Sequence, residues 1–276
     1  MATACRKPDG DITIRAEAVP SLLLRHRWLN IPFVRGLPAL IDTLRIGFSA
    51  LFFSAEVQSE AEGGTPVQSW HLGLSLTVAL TVVVVLFVWL PTGLGDWLLP
   101  KDATPFLRNL LETFVRLVLL LGYLLVISLM KNIQRVFQYH GAEHMAIHAL
   151  EAGADLTPAG ARPFPTLHPR CGTAFLVLVV LFGFVVHLAM GWPAPALRYA
   201  LRIAAIPVIA GIAYEWIRLA GRAPHSAVLR VLNTPGLWAQ YLTTRVPDDA
   251  QLEVAIASLR ACMEAEREAA SGPAAA

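Results

Sequence analysis

The hydrophobic positions of this chain fall into a few long runs separated by short polar stretches. A helix needs about 20 mostly apolar residues to cross a bilayer. Residues 72–90 satisfy this without a charged side chain, stop at Pro91 and Gly93, and are too long for a buried strand. Residues 173–191 satisfy it with His187 as the only ionisable group inside. Residues 107–130 carry Arg108, Glu112 and Arg116 in their first half. That spacing puts the three charges on one helix face, where Glu112 can pair with either neighbour, and it predicts entry through an interfacial turn. Residues 203–217 form a fourth run, in which Pro207 and Gly211 predict a kink, with Glu215 near the end. Residues 36–53 are apolar but hold Asp42 and Arg45, which fits an interfacial or re-entrant helix better than a span.

Two polar segments also read as helices. Residues 131–152 have neither strand alternation nor proline, and Gly153 supplies the stop. Near the C-terminus, Asp248 followed by Gln251 resembles a capping box. Leu252, Ala255, Ile256, Leu259 and Met263 then recur at helical spacing, so an amphipathic helix is expected to pack on the cytoplasmic face of the protein itself. Residues 271–276 are expected to lack order. No internal repeat is visible. The pattern predicts an all-α, polytopic membrane helical bundle of about four transmembrane helices, with interfacial and cytoplasmic helices added. It divides into an N-terminal cytoplasmic segment (1–35), a membrane domain with a His-rich cytoplasmic insertion at 131–172 (36–221), and a C-terminal amphipathic region (222–276).

Composition agrees. The 276 residues are 55% hydrophobic and 15% charged, against roughly 25% charged in an average soluble domain. A net charge of +2 without a dense basic run argues against a nucleic-acid partner. Membrane lipids are the partners this composition implies. Cys5, Cys171 and Cys262 are odd in number and far apart, so a reducing compartment suits the polar parts better than a disulfide framework. Trp89, Trp97, Trp192 and Trp216 stand near the ends of the expected spans, as interface anchors do.

The chemistry concentrates in "FQYHGAEHMAIH", residues 137–148. On a helix, His140 and His144 share a face one turn apart, and two imidazoles so placed can grip one ion. With Glu143 they form H-x-x-E-H, the reversed zincin arrangement, in which the histidines are ligands and the glutamate is the general base for water. Zinc is the ion this pattern favours. His148 lies about 12 Å beyond His140 along the axis and cannot share its ion, leaving it a supporting group, part of a second site, or an interfacial histidine. For a further ligand, Glu215 is the leading candidate, because an unpaired carboxylate at a membrane interface needs a cationic or metal partner. His168 and Cys171, in "LHPRCGT", compete with it. Simpler readings stand beside these. Glu143 could pair with Arg135 or Lys131, His168 could cap a turn, and His187 could form a helix-to-helix hydrogen bond.

The ordered set "YHGAEH", "EAG", "LHPRCGT", "YEWIRLAGR" and "PGLWAQYLTTRVPDDAQLEVAIASL" resembles the DUF1385 family over roughly residues 5 to 262. The resemblance implies a multi-pass membrane protein and a metal-dependent enzyme. The positions matching its motifs are His140, Glu143, His144, His168, Cys171 and Glu215. Family members typically begin with a Gly-rich segment upstream of the "RKPDG" found here at 6–10. If that segment lines the site, part of the site is expected to be missing from this chain.

The function expected from these readings is an integral membrane, metal-dependent hydrolase acting on a membrane peptide or a lipid-linked substrate. A metal-binding transporter or channel, or a scaffold with a structural metal, uses the same residues differently. In the transporter case Glu112, Arg116 and His187 would line a path. Lys and Arg are denser around the N-terminal segment, 131–172 and the C-terminal flank than in the opposite loops. This places both termini and 131–172 in the cytoplasm, at the cell inner (plasma) membrane. Cysteine probes at Asp102 and Ala194 are therefore expected to react with an impermeant maleimide added outside intact cells. Reaction only after the cytoplasmic side is opened would reverse the orientation.

Overall fold

The computed structural model of the protein describes residues 1–62, 69–223 and 226–271. It is an all-α polytopic membrane bundle with one small hairpin. The N-terminal segment, which has no expected strand, pairs β1 (Ala2–Arg6) antiparallel with β2 (Ile12–Ala16), Ala2 facing Ala16. The short α1 (Leu22–Arg25) starts at Ser21, and Asp42 accepts hydrogen bonds from both Ser21 Oγ and the Leu22 N–H. Then follow α2 (Gly36–Glu62), α3 (Ser69–Val84), a π turn at Val85–Trp89, α4 (Leu90–Leu98) and α5 (Pro105–Ser128). The second half contains α6 (Lys131–Glu151), α7 (Pro158–Ala161), α8 (Gly172–Met190), α9 (Pro195–Ala204), α10 (Ile206–Arg222), α11 (Ala227–Thr243) and α12 (Asp249–Ser271). Ser271 ends α12 in helical conformation, and the rest of the tail expected to lack order lies outside the described residues.

Among the described residues, five helical stretches are long and apolar enough to cross a bilayer: Gly36–Ser59, Thr77–Leu98, Pro105–Ser128, Gly172–Met190 and Pro195–Arg222. Four of them overlap the expected spans, with ends shifted by up to eight residues at either side for the first three expected. The fifth, in α2, has the lowest mean hydropathy, 1.3. Its far half meets β1, with Cys5, Phe53 and Val57 packed together, and β1 in turn lies on α12 through the Arg6–Glu253 ion pair. Leu37, Ile41, Leu44, Phe48 and Leu51 recur along one exposed face. By length and hydropathy this stretch is a candidate span beyond the four expected, and its exposed apolar face suits lipid.

One expected helix stop is displaced, and one expected kink interrupts its helix. Pro91 and Gly93 do not end their helix, which runs through them to Leu98. Proline lacks the N–H that residue 87 would otherwise receive, and the π turn takes up the mismatch. The freed Phe87 carbonyl instead accepts a hydrogen bond from Arg116 Nε at 2.8 Å. Around Pro207 the kink is a one-residue interruption at Ala205 between α9 and α10. Gly153 does stop α6. Its positive φ of 67° lets the Gly153 and Ala154 amides turn back to the Leu150 and Ala149 carbonyls.

Two packed units position the site. In the first, α12 lies on α6 and α7: Ala142, Met145, Ala146, Ala149 and Ala161 surround Leu252 and Ile256. The capping box is present, Asp248 and Gln251 each receiving the other's backbone N–H at 2.8 and 3.0 Å. In the second unit, α8 packs with α5 and α11 around Leu120, Leu124, Val177, Val180 and Ala239. The bundle therefore continues past residue 222, because α11 is one of its walls.

Candidate metal centre

Three chain segments converge on the face of α6 that carries the histidines: α6 itself, the 162–171 stretch leading into α8, and the end of α11. The segment after α11 crosses α6 at Gly141, where an added Cβ would overlap the Arg245 carbonyl oxygen. The Arg245 N–H donates to Phe137 O at 2.9 Å. Gln240, fully buried, clamps the 162–171 stretch by accepting the His168 N–H (2.8 Å) and donating to the His168 carbonyl (2.9 Å). Asn233 donates to Pro169 O.

These crossings orient the imidazoles. His140 Nδ1 lies 2.8 Å from Thr243 O, and His144 Nδ1 lies 2.6 Å from Thr166 O. A carbonyl oxygen only accepts, so Nδ1 carries the proton in both rings and each Nε2 is the nitrogen left to bind something else. Metal-binding histidines are commonly held in this way. Cys171 Sγ sits 3.3 Å from His140 Nε2. The ligand atoms of His140, His144 and Cys171 all lie within 4.8 Å of one another.

Cys171 also caps α8, its Sγ accepting the Thr173 N–H at 3.3 Å. Burial alone would push this thiol up. The hydrogen bonds from His140 and His144 and the helix N-terminus outweigh burial and bring it down to about 5, so the sulfur is a thiolate at neutral pH. Burial likewise pulls His140 down, but the bond to and charge of Cys171, the Thr243 carbonyl and the field of Glu143 hold it above the usual histidine range.

His148 and His168 form an adjoining group with Glu151, again within 4.8 Å. His148 Nε2 donates to Leu167 O at 2.9 Å. His168 Nδ1 accepts the Arg170 N–H at 3.2 Å, which puts the ring proton on Nε2, itself without a hydrogen-bond partner. Burial and the neighbouring His148 and His144 bring His168 down to about 4, so it is neutral. Glu151 is engaged by Arg170. With its Nδ1 lone pair used by the Arg170 N–H and its Nε2 proton turned toward Glu151 Oε2 at 3.7 Å, His168 offers an ion no free lone pair, whereas His140 and His144 can each offer Nε2 once it carries no proton. The His140–His144–Cys171 group fits a metal better.

Glu215, the leading third ligand on sequence grounds, belongs to neither group. Its carboxylate is held bidentately by Arg35, at 2.6 Å and 2.5 Å, and accepts the Phe33 N–H. The expectation that a carboxylate here needs a cation is met by arginine, and of the expected competitors Cys171 is the one that lies with His140 and His144. Glu143 is exposed and lies on the neighbouring face of α6, bordering a groove of about 510 Å³ with Tyr139, Ile147 and residues of α2 and α12. No ion pair joins it to Arg135 or Lys131 among the described residues. His187 does form a helix-to-helix bond, with Arg116 at 3.1 Å. Sequence reasoning missed the groups that aim the ligands: Gly141, Thr166, Gln240, Thr243 and, for Glu215, Arg35. The glycine inside "HGAEH" was the one visible sign of a close backbone approach.

A polytopic helical membrane protein with a buried His–His–Cys cluster at one end of its bundle is the class that fold and geometry define. Residues 31–265 match the family described as "Protein of unknown function (DUF1385)", and the chain belongs to it. It is 34% identical over 279 residues to the "Uncharacterized protein YqhQ" of Bacillus subtilis (strain 168), covering 96% of this chain and 87% of that one. No solved structure matches.

Two outcomes follow from this geometry. In metal-free protein, the Cys171 thiolate absorbance near 240 nm, taken as the difference from Cys171→Ala, is expected to persist down to about pH 5. Because the folded pKa is lowered, this thiolate's contribution to stability is complete only above the unfolded thiol's range and disappears as pH falls through about 5. A midpoint near 8.5, the ordinary cysteine value, would contradict it. Gly141→Ala is expected to force residues 243–245 off α6 and cost about 1–3 kcal/mol, read as a lowered melting temperature in detergent. An unchanged melt would contradict the close crossing.

Proposed function

We propose that this chain is an integral membrane, metal-dependent hydrolase whose ion is held by His140, His144 and Cys171 at the cytoplasmic surface of the plasma membrane. The observation that carries the reading is the convergence of two Nε2 atoms, each fixed by an Nδ1–H bond to a backbone carbonyl, with a thiolate. Two imidazoles and one thiolate suit zinc, and three protein ligands are the number found where a fourth position stays open for reaction. A divalent ion there supplies Lewis acidity when bound. Glu143 is the base in this reading. Its exposed carboxylate, whose charge reaches the His140 ring, can take a proton from water and pass it to a leaving group, although none of the three proposed ligands lines the groove it borders. A membrane peptide or lipid-linked ester is the substrate class the membrane setting favours.

One observation favours a second reading. The 3.3 Å contact between Cys171 Sγ and His140 Nε2 is also the arrangement of a thiolate nucleophile and its imidazole partner. Metal analysis separates the two. Protein purified without chelator is expected to carry close to one zinc per chain. His140→Ala/His144→Ala and Cys171→Ala are expected to lose it, and Glu143→Gln to keep it. Equal metal content in all four proteins would remove the metal reading and leave the Cys–His pair.

A further inference from the structure

The opposite end of the bundle holds a second polar cluster that the proposed hydrolase does not use. His187 lies sixteen residues beyond Cys171, about 24 Å away along α8. Arg116 of α5 and Arg202 of α9 act on it, and linked to them through Glu112, Asn109 and Trp192 are Arg108 of α5, Asp96 of α4 and Arg198 of α9. Arg198 and Arg202 are each only 2% exposed, Arg108 6%, Arg116 7%, and Glu112 is completely enclosed.

The charges do not cancel. Glu112 accepts ion pairs from Arg116 (3.3 Å) and Arg202 (3.1 Å), and Asp96 from Arg108 (3.4 Å) and Arg198. Those are the only carboxylates within 4 Å of these four guanidiniums among the described residues. Arginine stays protonated in proteins, so four fixed cations face two anions and two positive charges are left over. Backbone carbonyls of Phe87, Gly95, Pro100 and Ala103 accept from Arg116 and Arg108, and Asn109 Oδ1 accepts from Arg202. The Trp192 ring lies 4.1 Å, 5.3 Å and 5.6 Å from the Arg198, Arg108 and Arg202 guanidinium carbons. Dipoles and a π face spread the charge without neutralising it. Trp192, expected as an interface anchor, serves here as a platform for cations.

The donors are also incompletely used. Arg198 Nε and Arg202 Nε are buried and have no hydrogen-bond partner. Arg116 can only donate, so His187 Nδ1 must accept from it, and the His187 proton lies on Nε2, which is buried and unpartnered as well. Glu112 Oε1 is unpartnered too, as is the hydroxyl of Thr92 on α4, which can donate or accept. Surplus positive charge together with three idle N–H donors, in a setting where burying an uncompensated ion is strongly unfavourable, calls for an anion.

We propose that the arginine cluster of α4, α5, α8 and α9 is a binding site for a phosphate group. Several guanidinium forks match the multiple oxygens of phosphate in a way that a spherical anion cannot exploit. The cluster starts within a turn of the N-terminus of α5, where the exposed Trp97 marks headgroup level, and extends about 12 Å inward to Arg116. That depth suits both the phosphate of an anionic lipid and inorganic phosphate entering from solution.

Calorimetric titration of the detergent-purified full chain with inorganic phosphate, and separately with short-chain phosphatidylglycerol, tests the proposal. Saturable binding of at least one probe is expected. Phosphate binding assigns the free anion as source, and binding of the lipid alone assigns the headgroup. Arg198→Gln is expected to weaken binding at least tenfold. Glu112→Gln, which removes a competing negative charge, is expected to tighten it, a change that simple loss of structure would not produce. No saturable binding of either probe to the unaltered chain, equal displacement by chloride, or unchanged affinity in a well-folded Arg198→Gln protein would overturn it.

Discussion

The site depends on one close approach: the backbone of residues 243–245 lying directly on α6 at Gly141. Only a residue without a side chain lets a carbonyl oxygen come that near a helix axis. With it there, Thr243 reaches His140, and Arg245 ties the crossing strand to Phe137. The crossing also places the end of α11 so that Gln240 can hold both main-chain groups of His168. Two rings of α6 are thus aimed by carbonyls from two other segments, and the thiolate comes from a third position at the head of α8. Two donors come from one face of α6 and the third from the head of α8, yet each is fixed by backbone rather than by another mobile side chain.

The helices were legible because membrane spans announce themselves by length and apolarity, and because caps use a short vocabulary. Gly153 and the Asp248–Gln251 pair behave as their residue types dictate. The histidine face of α6 was legible for the same reason, since positions one turn apart must share a face. Partners across the fold were not. That Glu215 needs a cation follows from its location, but that the cation is Arg35 depends on how the 31–35 turn docks on α10. The choice of Cys171 depends on the path of a proline-rich connection whose course is set by Gln240 and Asn233, and both lie far along the chain. The β-hairpin was passed over because its strands are short and sit in a polar segment without sustained alternation.

Proline 91 shows how a local defect becomes a long-range contact. A missing N–H leaves the Phe87 carbonyl without its helical donor inside an apolar span, where an unpaired carbonyl is expensive. Arg116, from the neighbouring helix, fills the gap at 2.8 Å. The same guanidinium reaches Glu112 and His187. Helix breaker and buried charge, each unfavourable alone, are complementary when they face one another, so α4 and α5 are matched by a polar interaction where apolar packing would give little specificity.

Cys171 is both the cap of α8 and a member of the cluster, and that dual role has a mechanical meaning. Its sulfur is fixed to the tip of a rod of nineteen residues, about 28 Å long. The imidazoles ride on a different helix. Pivoting the rod by about 5° at its far end sweeps the tip through roughly 2.4 Å, comparable to a whole metal–sulfur bond length. The spacing between sulfur and nitrogen is therefore sensitive to the inclination of α8 relative to α6, and the ties from Gln240, Asn233 and His144 to the 162–171 stretch are what resist such a tilt.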